Sequence, residues 1–185
     1  MAFSSPCSRQ RGLTLVEILT VLCIAGLLAV IGMPALGSML ARSHRASAEG
    51  ALQASLMHAR ELAITRHVQV IVCPSRDHRT CASWDDWQDG WMIAMDADRD
   101  REPDPGEPLA VFDAMPAQMR VRSSSGRPRV VFRPDGSASG SNARLTICRL
   151  GDGRAGSAVV VSNSGRVREA DADPHRLDDC LARSG

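Results

Sequence analysis

Lysine and tyrosine are absent from the chain, and only three tryptophans and three phenylalanines supply aromatic rings. Every one of the 22 basic side chains is therefore an arginine. No Cys-x-x-Cys pair occurs, which argues against a zinc site built on cysteine. The five histidines, His44, His58, His67, His78 and His175, lack the His-x-x-x-His spacing that sets two imidazoles on one helix face. Serine-rich stretches at 123–125 and 137–141 have no nucleophile-elbow context. With no catalytic set, no cofactor motif and no metal motif, the expectation is a non-enzymatic protein that binds and assembles. No internal repeat is evident, and a net charge of +1 says nothing by itself about partners.

What is present begins with a long apolar run. No Asp, Glu, Arg or His lies between positions 18 and 36, and about 20 apolar residues carry a helix across a hydrocarbon core of about 30 Å. The expectation is a membrane span. Arg9 and Arg11 precede it without an acid, and basic residues hold that end in the cytoplasm, so the remainder of the chain faces outward. A secretory signal has a shorter apolar core and a small-residue cleavage site after it, which fits poorly here. Glu17 stands at the start of the run. A carboxylate at the bilayer centre costs about 2.5–3.5 kcal/mol, less near the interface, so Glu17 calls for a partner or a function.

The segment Gly12-Leu13-Thr14-Leu15-Val16-Glu17, with a basic leader before it and an apolar helix after it, resembles the class III signal of type IV pilins and pseudopilins. The resemblance implies cleavage after Gly12 by a prepilin peptidase and methylation of the new amino terminus at Leu13. It also implies that Glu17 pairs with a neighbouring pilin subunit's terminus during assembly. Leu13 stands where phenylalanine is commoner, and Pro34 falls where pilin helices often carry a proline.

Beyond Pro34, Met39, Leu52, Leu56, Ala59 and Ala63 recur at near-helical spacing, with Arg42, Arg45, Glu49, Arg60 and Glu61 between them. A helix from Leu13 to about Thr65, kinked near Pro34, is expected. After His67 the pattern changes to short β-branched runs, at 68–73, 91–95, 109–112, 119–122, 130–133, 145–150 and 158–162, separated by turn signals such as Pro134-Asp135-Gly136. The fold class expected is α+β and pilin-like: a long N-terminal helix, membrane-spanning in its first half, packed on a C-terminal antiparallel β-sheet domain. The expected divisions are a leader at 1–12, the helix at 13–66 and a β-rich domain with its tail at 67–185.

Of six cysteines, Cys7 lies in the expected leader and Cys23 in the expected span, where a thiol acts as a small apolar residue. Cys73, Cys81, Cys148 and Cys180 would then face an oxidising compartment, in which disulfides persist. Four cysteines allow three pairings and sequence alone cannot choose among them. The pairing favoured is Cys73 with Cys81, closing a short polar loop, and Cys148 with Cys180, pinning the tail to a strand.

Charge is polarised along the chain. From 77 to 113 there are eleven acids against three arginines; from 118 to 168 there are ten arginines against Asp135 and Asp152. Within the acidic half, Asp96, Asp98, Asp100 and Glu107 match positions one, three, five and twelve of a calcium loop. Arg101 occupies position six, where such a loop needs glycine. The loop reads instead as a solvated hairpin connection between Met95 and Leu109. In the basic half, Arg127, Arg129, Arg144, Arg149, Arg154, Arg166 and Arg168 fall on successive strands and turns. Arg166 and Arg168 alternate with Val167, so in an extended segment both project to one side. Two guanidinium forks beside a flexible glycine suit phosphate binding.

The long helix, the Cys73-Pro74-Ser75 turn with Trp84, Asp89-Gly90-Trp91, and a closing Ser162-Asn163-Ser164-Gly165-Arg166-Val167-Arg168 resemble the FimT/GspH family of minor pilins and pseudopilins over nearly the whole chain. In the FimT branch a Gly-Arg-x-Arg motif is associated with binding extracellular DNA for uptake. The resemblance therefore implies that Gly165, Arg166 and Arg168 contact double-stranded DNA; Arg144, Arg149 and Arg154 are further candidates on charge alone. The acidic tail, with Glu169, Asp171, Asp173, Asp178 and Asp179, stands against this, because carboxylates within a Debye length of about 8 Å weaken attraction to phosphate. The expectation is an inner-membrane protein with its domain in the periplasm, later in a pilus. The alternative is a GspH-type minor pseudopilin of a type II secretion system with a structural role only.

Overall fold

The structure, a computed structural model, describes residues 14–151 and 155–182, apart from the side chains at 31, 32, 34 and 35. The expected leader, with Gly12, and the expected new terminus Leu13 lie outside the described residues, as does Arg154. Two compact units divide the chain after Leu40.

One helix, α1 (Leu15–Arg66), opens the fold and passes position 34 unbroken. Thr14 caps it: its Oγ1 accepts the Glu17 amide at 3.3 Å, and its carbonyl accepts the Ile18 amide at 3.2 Å. Thr14 and Glu17 thus stand at the N-cap and N3 positions of the Thr-x-x-Glu capping pattern. At the other end His67, with φ of 54°, takes the left-handed conformation that stops a helix. In the first unit the large apolar side chains of α1 lie exposed, among them Val16, Leu19, Leu22, Leu27 and Leu28. Among the described residues no helix is long and apolar enough to cross a membrane. The expected span includes positions 31, 32, 34 and 35, whose side chains are outside that set.

In the second unit α1 turns Ala48, Leu52, Leu56, Ala59 and Ala63 inward at intervals of three and four residues. Two four-stranded antiparallel sheets cover that stripe. The first contains β1 (Val70–Pro74), β2 (Trp91–Met95), β3 (Ala110–Phe112) and β5 (Val130–Phe132), in the order β3-β2-β1-β5. The second contains β4 (Met119–Arg122), β6 (Ala143–Arg149), β7 (Gly156–Val161) and β8 (Val167–Asp171), in the order β4-β6-β7-β8. Val70, Val72, Ile93, Val130 and Phe132 from one sheet meet Met119, Val121, Leu145, Ile147, Val159 and Val161 from the other over the helix. Each fully buried Leu or Ile contributes about 1.5–3 kcal/mol relative to exposure. Trp91 stacks on Phe112 with ring centroids 5.0 Å apart, and its indole N–H donates to the buried Ser55 hydroxyl at 3.0 Å, which ties β2 to α1.

Two elements escape the periodicity of the sequence. Strand β8, Val-Arg-Glu-Ala-Asp, has neither the β-branched content nor the alternation that marks a strand, and pairing with β7 imposes its conformation. Helix α2 (Pro174–Ala182) closes the chain. Asp173 caps it, accepting the amides of His175 at 3.0 Å and Arg176 at 3.3 Å, and Pro174 takes the first helical position. That Asp-Pro pair ahead of Leu177, Cys180 and Leu181 was the legible signal for α2.

Cys73 is bonded to Cys81 and Cys148 to Cys180, with Cα separations of 5.5 and 6.3 Å. The second bond fastens α2 to β6, where Leu177 and Cys180 are buried with Cys148. Gly156 admits this packing, because a Cβ there would lie 2.5 Å from Leu177 Cδ1.

Candidate functional site

The connection from β7 to β8 carries the Gly-Arg-Val-Arg segment. The Ser162 amide donates to the Arg166 carbonyl at 3.0 Å, and the Gly165 amide donates to the Ser162 carbonyl at 2.9 Å. This is a three-residue hairpin loop closed by a left-handed residue, Gly165, at φ of 75°. The expected flexibility of that glycine gives way to a different role. Gly165 is buried, and a Cβ on it would lie 1.8 Å from the Gly136 carbonyl oxygen. The same oxygen accepts Arg60 Nε of α1 at 3.0 Å, and the Ala138 amide donates to the Asn163 carbonyl at 3.0 Å. The hairpin is therefore docked on the 134–138 turn and α1, and the glycine serves that close approach.

Docking of the hairpin sets where its arginines go. Arg166 is exposed beside a groove of about 740 Å³ that Met57, His58, Ile64 and Val167 also line. In β8, Val167 packs against the core, so Arg168 projects to the opposite, outer face of the second sheet. Register then aligns Arg144, Val160 and Arg168 across β6, β7 and β8. Strands lie about 4.8 Å apart, which places the Arg144 and Arg168 backbones about 10 Å from each other on one face. Arg144 reaches along that face to donate through Nη1 to the Asp171 carbonyl at 2.9 Å. Arg120 and Arg122, alternating with the buried Val121 in β4, join the same face. Arg122 is held by Asp86 at 3.4 Å and by the Asp179 carbonyl at 3.4 Å, whereas Arg120 donates to the carbonyls of Ala117 and Met119. Sequence reasoning passed over Arg120 and Arg122, although their period-two spacing was the available signal.

Arg149 is not part of this face. It shares the parity of Leu145 and Ile147, which point to the core, and its guanidinium bonds to Gln118. The acidic tail also divides. Glu169 and Asp171 pair with Val159 and Ser157, on the side of β8 that faces α1, and Asp173 is committed to capping α2. There they influence Glu49 of α1: burial pushes its carboxyl above the usual glutamate range, Glu169 and Asp171 add to the shift, and Arg45 opposes it. Strand alternation thus separates the carboxylates of β8 from Arg168, whereas α2, bonded to Cys148 on the outer face, brings Asp179 beside Arg122 there.

The loop after β2 closes an antiparallel hairpin with β3. Asp96, Asp98 and Asp100 can bring carboxylate oxygens within 4.8 Å of one another, and Glu107 is not in that group. The buried Asp96 accepts Gln69 Nε2 at 2.6 Å, and Asp104 accepts the Ala97 amide at 2.9 Å, so these carboxylates organise the loop.

The sequence profile of the family described as Type II transport protein GspH matches residues 50–165. Among curated proteins none matches. The fold is similar to the type IV minor pilin FimU of Pseudomonas aeruginosa in two crystal forms. One superposes with a TM-score of 0.57 at 21% identity, covering 72% of this chain and 92% of FimU. The other gives 0.53 at 21%, covering 70% and 93%. The minor pseudopilin EpsH of Vibrio cholerae gives 0.48 at 12% identity, covering 69% of this chain and 97% of its own.

Proposed function

The chain belongs to the GspH family, and from that membership we propose a minor type IV pilin that joins a filament through α1 and binds double-stranded DNA with the part of the outer face of its second sheet that carries Arg144 and Arg168. Assembly with other pilin subunits follows from the family. The single observation carrying the DNA reading is the alignment of Arg144 and Arg168 on one sheet face while Glu169 and Asp171 project to the other. Guanidinium groups spaced along a rigid sheet meet phosphate oxygens with charge-assisted hydrogen bonds, and such binding is insensitive to sequence and sensitive to salt.

The remaining roles belong to the same proposal. Prepilin peptidase cleaves after Gly12 and methylates Leu13; Glu17 pairs with a neighbouring terminus once α1 leaves the inner membrane. The exposed apolar side chains along the first unit of α1 support this reading, since they require lipid or another helix to cover them. Before assembly the domain faces the periplasm.

The test is a mobility shift with the full chain in maltoside micelles and a short DNA duplex at rising salt. Arg144→Gln with Arg168→Gln should weaken binding at least tenfold and lower the log–log salt slope by about 1.8, at about 0.9 for each phosphate no longer neutralised. Unchanged affinity and slope would overturn the assignment. The family's description as a transport protein favours a second reading, a pseudopilin of a type II secretion system with a structural role only. Deletion separates the two: lost secretion with intact DNA uptake favours the second.

A further inference from the structure

A separate group of arginines gathers on the first sheet. In β5 the side chains of Val130 and Phe132 enter the main core, so Arg129 and the buried Val131 turn to the opposite side of the first sheet and line a cleft with Arg101, Arg127, Gly140 and Ser141. The cleft has a volume of about 440 Å³, and no carboxylate lines it among the described residues. Its walls come from three separate stretches of chain. Arg101 belongs to the acidic loop after β2, Arg127 and Arg129 lead into β5, and Gly140 and Ser141 lead into β6.

Backbone carbonyls hold the cations in place. Arg127 Nη1 donates to the Gly140 carbonyl at 2.8 Å, and Arg101 Nη2 reaches the same oxygen at 3.4 Å. Two guanidinium groups thus converge on one neutral acceptor, which orients them without cancelling their charge. Arg129 donates through Nη1 to the Arg101 carbonyl and to the Glu102 carboxylate. Its Nε is buried and has no hydrogen-bond acceptor. Arg101 itself has φ of 71°, a left-handed conformation that bulky residues rarely adopt and that recurs where a site over-determines the backbone. Ser141 Oγ bridges the Val131 amide and carbonyl at 3.0 and 2.8 Å, which makes the rear wall rigid.

We infer that this cleft is a phosphate-binding site, with Arg101 and Arg127 as direct ligands and the Arg129 guanidinium behind them. A tetrahedral oxyanion offers several acceptors to guanidinium forks and supplies the negative charge the cleft lacks. The site lies on the first sheet, whereas Arg144 and Arg168 occupy the second. It therefore stands or falls apart from the DNA reading.

Inorganic pyrophosphate is the probe, titrated calorimetrically into the full chain in maltoside micelles. Arg101→Gln and Arg127→Gln should each weaken binding about tenfold, the loss of one charge-assisted bond. Arg66→Gln, in the last turn of α1, should leave it unchanged. A second measurement needs no variant: phenylglyoxal labelling of the native chain, resolved by peptide mass spectrometry, should show pyrophosphate protecting Arg101 and Arg127. Displacement of pyrophosphate by a DNA duplex identifies a nucleic-acid backbone as the phosphate source. Arginine-dependent binding that the duplex does not disturb identifies a small phosphate ion. Absence of binding, binding by both variants as tight as that of the unaltered chain, or protection at Arg166 and Arg168 instead overturns the inference.

Discussion

Gly165 shows how a residue chosen for chemistry can be held by packing. As the first residue of a Gly-Arg-x-Arg motif, it reads as slack that lets guanidinium groups adapt to phosphate. In the folded chain it is the contact point between two turns, with the Gly136 carbonyl where a side chain would start. Gly165→Ala combines a left-handed backbone cost of about 1–2 kcal/mol with overpacking of about 1–3 kcal/mol. Denaturant unfolding should show a loss of about 2–5 kcal/mol, with DNA affinity falling only as the folded fraction falls. A loss of affinity at full stability would return the glycine to the binding surface. Thr14 makes a comparable point for Glu17, whose amide completes a helix cap whatever its side chain does during assembly.

Among the elements, β8 and α2 decide which charges meet. β8 is written in polar residues, yet its pairing with β7 sorts them, Arg168 outward and Glu169 and Asp171 toward α1. Helix α2 packs on β4 and β6 and is tied there by Cys148–Cys180. The Cys148→Ser, Cys180→Ser pair should cost about 2–4 kcal/mol in denaturant unfolding, since the bond restricts the unfolded chain between its ends. It should also expose a proteolytic site between β8 and α2, detected by limited digestion. Full resistance to cleavage would mean that burial of Leu177 alone holds the helix. The single change Gly156→Leu should act in the same direction, because it fills the space that Leu177 occupies.

At the scale of the whole molecule, the two units do different work. The first carries exposed apolar side chains along α1 among the described residues, and the second buries a mixed core of one helix stripe and two sheets. Full-length protein expressed from Met1 should sediment with membranes and resist extraction by salt and alkali. A chain beginning after Leu40 should remain in the soluble fraction. Recovery of the full-length protein in the soluble fraction would remove the membrane stage from the proposal. The charge asymmetry along the sequence changes character at this scale. Arg101, from the acidic half, joins Arg127 and Arg129 from the basic half in one cleft, while Glu169 and Asp171 turn from Arg168 to the other side of their strand.

The apolar run, the near-helical spacing after it and the β-branched runs behind His67 determined the α+β class, because burial obeys periods of 3.6 and 2 that are written along the chain. The same periodicity located seven of the strands, and β6 and β7 proved longer than their apolar stretches. Which arginines act together was not legible. Arg149 and Arg144 lie five residues apart on one strand and project to opposite faces, whereas Arg144 and Arg168 share a face in line across β7. Only strand register could decide that, because it couples residues distant in sequence and one step of slip moves every side chain to the other face.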